Sequence, residues 1–205
     1  ILDGSAGDDV LDGGLSADTL LGGLGSDVYY IDNINDIIVE KYNEGNDKLY
    51  TKVSYSLTGR HIEEVYLEGE GDIIAKGNSL NNTLIGNAGN NLVDGGLGRD
   101  TVIFHIIDNT SNNAGNGLDT WSDFTIGNIQ LNSNADKIDI SSLLIGYTSD
   151  QFIGDFLNLY SQNGNTTLSI DRDGAQNTYN SENILILSKV NVDLSTLLEN
   201  QQLII

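Results

Sequence analysis

The chain has 205 residues, with 30 Asp and Glu against 9 Lys and Arg for a formal charge of −21, 24 Gly, and no Pro, Cys or Met. That length fits one large or two small domains with a real core. A carboxylate excess on this scale repels phosphate backbones and anionic headgroups, which points away from nucleic acid and membrane surfaces and toward divalent cations; without cysteine there is no disulfide frame, thiolate zinc site or thiol catalysis.

From the first residue the sequence keeps a beat of nine. Ile1 and Leu2 read as the tail of a unit whose turn is missing, and with no methionine anywhere the chain reads as a processed or excised piece of a longer product. In phase, residues 4–12 are GSAGDDVLD, 13–21 GGLSADTLL, 22–30 GGLGSDVYY, and 31–39 a decayed IDNINDIIV. The beat returns as GNSLNNTLI from Gly77, GNAGNNLVD from Gly86 and GGLGRDTVI from Gly95. Each unit divides into a Gly-rich turn and a short strand, with an apolar residue two places after the Asp position: Leu11, Leu20, Tyr29, Ile38, Leu84, Val93 and Val102. A three-residue strand cannot bury its face alone, so the pattern predicts stacked parallel strands coiling into a two-sided solenoid, two units per coil. That arrangement puts Asp9 and Asp27 on one edge and Asp18 and Asp36 on the other, one strand spacing of about 4.8 Å apart. Bare carboxylates that close repel by roughly 3 kcal/mol at an effective dielectric near 20, and an ion between them reverses the sign. The alternative is that these acids only solubilise the solenoid; Asp12 and Asp94, outside the motif, read as solvated charges.

These turns resemble the glycine-rich nonapeptide G-G-x-G-x-D-x-U-x of the RTX proteins, carried on a calcium-binding parallel β-roll. GGLGSDVYY and GGLGRDTVI match at every defined position if Tyr is allowed as the apolar residue, whereas Ser16 replaces a glycine and Asn82 and Asn91 replace aspartates. The resemblance implies several Ca2+ ions, a hard cation that takes six to eight oxygens. Its ligand pattern implies a first-edge site of the carbonyls of Ser5, Gly7, Gly22 and Leu24 with Asp9 and Asp27. A second site takes the carbonyls of Gly14, Ser16, Ile31 and Asn33 with Asp18 and Asp36. In the second block it implies Asn78, Leu80, Gly95 and Leu97 around Asn82 and Asp100, a weaker set because an amide adds no charge. Asp47, in EGNDKLY, is placed to rejoin the Asp27 edge after an insertion.

Between the blocks, DKLYTKVSYSL and EEVYLEGEGDIIA alternate like strands, so the roll is expected to continue there through irregular coils. From Phe104 the beat stops. LDTWSDFTIGN and NADKIDISSLL resemble the element that follows the roll in secreted RTX proteases, lipases and adhesins, and they predict a capping β-structure closing the solenoid. Asp119 and Asp123 there are candidates for a further calcium, or ordinary surface or turn acids. TTLSI and NILIL read as a hairpin around a Gly/Asn/Asp-rich turn, and Asp171, Asp173 and Gly174 as a turn rather than an EF-hand, since Asn180 stands where that loop needs Glu.

The expected organisation is thus all-β: a roll over 1–104, with repeat blocks 4–39 and 77–103, and a capping region over 105–205. No apolar run approaches the roughly 20 residues of a membrane span, and no H-E-x-x-H, G-x-S-x-G or G-K-[ST] sequence occurs, so no catalytic site is predicted. His61 and His105 share no obvious partner; His105 reads as a strand residue, and Trp121 and the tyrosines as packing rather than a sugar platform. The end of the chain resembles the target region of type I secretion substrates, especially large RTX adhesins. The resemblance implies a calcium-dependent folding and export module, read by a type I transporter and attached to upstream polypeptide, extracellular, held at a cell surface through its parent, and not itself inserted in membrane. The alternative is the non-catalytic C-terminal half of a secreted RTX hydrolase or toxin.

Overall fold

Each nonapeptide folds as a tight turn leading into a short strand. The computed structural model describes residues 1–176 and 178–205. The first block supplies β1 (Leu2–Asp3), β2 (Val10–Asp12), β3 (Thr19–Leu21), β4 (Val28–Ile31) and β5 (Ile37–Val39). The intervening segment supplies β6 (Lys48–Thr51), β7 (Tyr55–Ser56) and β8 (Glu64–Leu67), and the second block β9 (Ile74–Asn78), β10 (Thr83–Ile85), β11 (Leu92–Gly96) and β12 (Thr101–Ile103). Successive strands alternate between the two faces of a solenoid, and all the pairings among β1–β12 are parallel.

The register puts the apolar motif position into one inward column per face. Leu11, Tyr29, Leu49, Val65, Leu84, Val102, Ile138 and Leu203 stack along one, and all are buried. Each such side chain is worth about 1.5–3 kcal/mol on burial, which is how strands of three or four residues hold together. On the outer face of the same strands Tyr30, Tyr50 and Tyr66 stack ring on ring, with centroids 5.1 and 4.5 Å apart. The rings pack face to face across neighbouring coils.

The end of the nine-residue beat at 104 is not a break in either sheet. β13 (Asp119–Trp121) pairs with β11, and β14 (Lys137–Asp139) with β12. β15 (Leu157–Gln162), β16 (Asn165–Ile170) and β17 (Glu182–Leu187) form an antiparallel meander whose last strand lies parallel on β13. A short helix, α1 (Leu194–Glu199), starts at Asp193, whose carboxylate accepts the Thr196 N–H, and β18 (Leu203–Ile204) then closes against β14. The result is an eight-stranded sheet in the order β18-β14-β12-β10-β8-β6-β4-β2, a seven-stranded sheet β15-β16-β17-β13-β11-β9-β7, and a three-stranded sheet β1-β3-β5. The gap between β5 and β7 is bridged by side chains: the Tyr55 hydroxyl accepts from Ile38 N–H and donates to Asp36 O, and Arg60 Nε donates to Ile38 O. The loop after β12 is tied to the cap by Arg172, fully buried, which donates to the carbonyls of Asn109 and Ser111. No helix among the described residues is long and apolar enough to cross a membrane.

Candidate metal centre

The residue just before each strand of the eight-stranded sheet forms a ladder along one edge. Asp27 Oδ1 accepts the backbone N–H of Asp9, one coil of 18 residues earlier, at 2.8 Å. Asp47 Oδ1 does the same for Asp27, Glu63 for Asp47, Asp100 for Asn82 and Asp136 for Asp100, each at 2.7–2.8 Å. The opposite edge repeats the device: Asp36 accepts from Asp18, Asn91 from Ile73, and Asp119 from Asn91. One carboxylate oxygen thus serves as a backbone acceptor that fixes coil register. The second oxygens of Asp9, Asp18, Asp27 and Asp47 are buried with no partner. A buried unpaired carboxylate oxygen is costly, and four in one repeated position are what a bound cation would satisfy.

The glycine turns make the rest of the cradle. A Cβ placed on Gly4 would lie 2.7 Å from Asp9 Oδ2 and 2.8 Å from Gly22 O, so this glycine leaves a space that a carboxylate and a carbonyl of successive coils both face. Gly25, at φ +134°, passes so close to Gly7 O that a Cβ would sit 2.1 Å from it. Of the first predicted set, Asp9 and the Gly22 carbonyl therefore converge, while Asp27 Oδ2 lies one turn on, under Gly22. The Ser5 and Leu24 carbonyls also cross between these turns, accepting from Leu24 N–H and Gly7 N–H at 3.1 and 2.7 Å.

The second predicted set converges less. Asp18 Oδ2 is free, but Asp36 Oδ2 turns back to accept its own turn's Asn33 N–H at 3.2 Å. The Ile31 carbonyl accepts from Lys52 N–H and the Asn33 carbonyl from Asp36 N–H, while Gly14 and Ser16 lie on the turn before Asp18 with half-buried and exposed side positions. Lengthening β4 to include Ile31 draws that carbonyl toward the sheet and away from the edge.

In the second block side-chain amides donate to backbone carbonyls of the preceding coil. Asn82 Nδ2 donates to Ile62 O at 2.8 Å, and Asn78 Nδ2 to Arg60 O and Ile62 O at 2.9 and 2.7 Å. On the other edge Asn87 Nδ2 donates to Glu68 O and Gly71 O, and Asn91 Nδ2 to Gly89 O and Asp119 Oδ1. Farther on, Gln202 Nε2 donates to Thr125 O and Asp136 O, both at 2.8 Å. Asn78 and Asn82 of the predicted second-block set thus turn their amide donors to carbonyls of the preceding coil. Their NH2 groups fill the space toward the preceding coil, and Asn82 Oδ1, beneath Gly77 with Gly95 O, already accepts Asn78 N–H at 2.9 Å. The Leu80 carbonyl lies under Gly98, and Leu97 N–H donates to Asn78 O. Asp100 keeps the motif geometry, its Oδ2 under Gly95.

Asp119 and Asp123 do not share a site. They stand at opposite ends of β13, Asp119 under Asn91 and Asp123 accepting from Gly95 N–H, Gly96 N–H and Trp121 Nε1. Asp47, in contrast, stacks directly on Asp27. Sequence reasoning missed Glu40, Glu63, Asp136 and Gln202, the last three of which stand just before β8, β14 and β18. Burial raises several of these acids: Asp47 and Asp136 to about 6, Glu40, Asp100 and Asp119 to about 7, with Asp27 also raised.

The family model for the RTX calcium-binding nonapeptide repeat, in four copies, matches residues 1–29 and 76–104. No curated protein matches the chain in sequence. Among solved structures the chain is similar to the AlgE6R3 subunit of the Azotobacter vinelandii mannuronan C5-epimerase, at 22% identity and a TM-score of 0.35, over 98% of this chain and 80% of that one. The chain carries RTX calcium-binding nonapeptide repeats, and it folds them as a parallel β-roll.

Proposed function

We propose that the chain is a calcium-dependent folding and export module of a bacterial type I secreted protein, non-catalytic itself and extracellular, serving a cell-surface adhesin. The observation that carries the calcium reading is the row of buried, unpartnered second oxygens on Asp9, Asp18, Asp27 and Asp47. Without ions those turns hold like charges against one another. With ions at extracellular levels, in an affinity range of about 0.1–1 mM, the same oxygens become ligands. Circular dichroism in chelator and then in added calcium tests this: strand signal and melting temperature rise with calcium, and an unchanged spectrum refutes it.

The export reading rests on the resemblance of the C-terminal sequence to type I target regions. Because Gln202 and Leu203 are buried in the cap, the address is tested by substituting the exposed Asn191, Ser195, Glu199 and Gln201 rather than by truncation. Lost export from cells bearing a type I transporter, with calcium-driven folding retained, supports it; retained export refutes it. The sequence encoded upstream decides the parent: tandem immunoglobulin-like repeats support the adhesin, and a zinc or serine-nucleophile motif supports a hydrolase.

A further inference from the structure

The turn after β5 departs from the motif, and its departure builds something the motif lacks. Register through β1, β3 and β5 aligns Leu21 with Asp3 and Val39 with Leu21, so Gly4, Gly22 and Glu40 follow one another in a single column. Glu40 thus stands where the repeat has its first glycine. At Gly4 and Gly22 a side chain has no room: a Cβ on Gly22 would fall 2.2 Å from Asp27 Oδ2 and 2.6 Å from Glu40 Oε2. Room exists at Glu40 because this coil is longer, with 20 residues from Asp27 to Asp47 where the preceding one has 18.

The side chain turns inward. Glu40 is 3% exposed and Asp27 and Asp47 are not exposed at all, and one oxygen from each of the three carboxylates lies within 4.8 Å of the other two. The Tyr29 hydroxyl, also fully buried, donates to Glu40 Oε2. Glu40 Oε1 accepts Lys41 N–H at 3.2 Å. Asp27 and Asp47 spend Oδ1 on the coil ladder, and their Oδ2 atoms have no partner. Two unsatisfied buried oxygens, a third carboxylate and a phenol oxygen therefore surround one point, with no basic side chain hydrogen-bonded to any of them. In the Asp9 space the next coil offers only the Gly22 carbonyl at the corresponding place.

We propose that Asp27, Glu40 and Asp47 form a three-carboxylate site for a hard divalent or trivalent cation, calcium in the first instance, and that Glu40, a residue outside the repeat motif, makes it the tightest site of the roll. It carries one more full charge than a site built from two motif aspartates, and charge count is a principal determinant of affinity in oxygen-ligand sites. The inference rests on the reading that the roll takes calcium, and its test separates the two.

The experiment uses the full 205-residue chain, titrated with calcium by calorimetry and with terbium by tyrosine-sensitised luminescence, since Tyr29 touches the site. Glu40→Gln keeps the shape and removes one charge; it is expected to weaken the tightest dissociation constant by about tenfold or more and to abolish the first equivalent of terbium emission. Asp9→Asn, one coil away, leaves the tightest step unchanged and weakens a later one. Glu40→Gly restores the motif residue and should match Glu40→Gln, which keeps the test decisive should the glutamine fold poorly. An unchanged tightest step in both Glu40 variants, with calcium still bound, overturns the Glu40 site while leaving the calcium reading intact. No calcium binding by the unsubstituted chain overturns both.

Discussion

Asn82 Nδ2 donates to the Ile62 carbonyl at 2.8 Å, in the space where the first block leaves the second oxygen of its aspartate unpaired. A neutral amide supplies there both an acceptor for its own turn's Asn78 N–H and the donor that a carboxylate lacks. The two blocks thus share a backbone and differ in what closes each turn.

Asn82→Asp should convert a self-sufficient turn into one that needs an ion. In chelator the variant loses the bond to Ile62 and buries an unpaired carboxylate oxygen against that carbonyl, a loss of about 1–3 kcal/mol. Added calcium should recover most of it. Melting temperatures with chelator and with calcium check this; equal losses in both would show that the amide does not stand in for a cation.

Removing calcium should act unevenly along the solenoid. Repeat coils contact mainly their neighbours, so local stability can differ from one end to the other. Hydrogen exchange in chelator is expected to show residues 4–47 losing protection while the strands from Ile74 to Asp139 retain it. Uniform loss along the chain would contradict the division.

The metal-free protein should gain stability on acidification. Asp119 is held up at about 7 and Asp136 at about 6, chiefly by burial, against about 3.9 for a free Asp. A raised folded value means that the folded state binds more protons, so the contribution is complete below pH ~4 and fades as pH rises through 6 to 7. In chelator, the melting temperature at pH 5 should exceed that at pH 8. Asp27, Glu40 and Asp47 are raised by burial as well; as candidate ligands they set calcium against their protons, so its apparent affinity should fall as pH drops.

Gly25→Ala and Gly71→Ala test the turn geometry as a pair. A Cβ at Gly25 collides with Gly7 O at a strained φ of +134°, whereas nothing lies within 4 Å of one at Gly71. The first should lower the calcium-loaded melting temperature clearly, and the second should leave it within the roughly 0.5 kcal/mol of an ordinary surface change. Similar shifts for both would mean that the coils are farther apart than described.

Much of this was legible in the residues. The nine-residue beat predicts the parallel strands, their two faces and the inward Leu11, Tyr29, Val102 column, because a period fixes register wherever it persists. It fails where coil length changes. The ladder steps 20 residues from Asp27 to Asp47, 16 from Asp47 to Glu63 and 36 from Asp100 to Asp136, and with no period to count by, Glu63 and Asp136 look like any surface acid. Glu40 lies one period beyond residue 31, where the beat of nine would put the next unit's first glycine, but the decay of the motif in 31–39 masks that place. For Asn82 the sequence gives the side chain but not which of its two amide atoms faces the preceding coil.

Tyr30, Tyr50 and Tyr66 keep their stack across coils of 20 and 16 residues. The strand is therefore the fixed unit of measure here, and the corner absorbs the difference. Residues added at a corner leave every strand facing as it did, while one residue lost inside a strand would exchange its wet and dry sides and misalign that coil with both neighbours. Tolerance to change is directional in such a chain: sequence can drift in length at the edges, where the ions and amides sit, and each edge can be re-equipped independently without redrawing the faces between them.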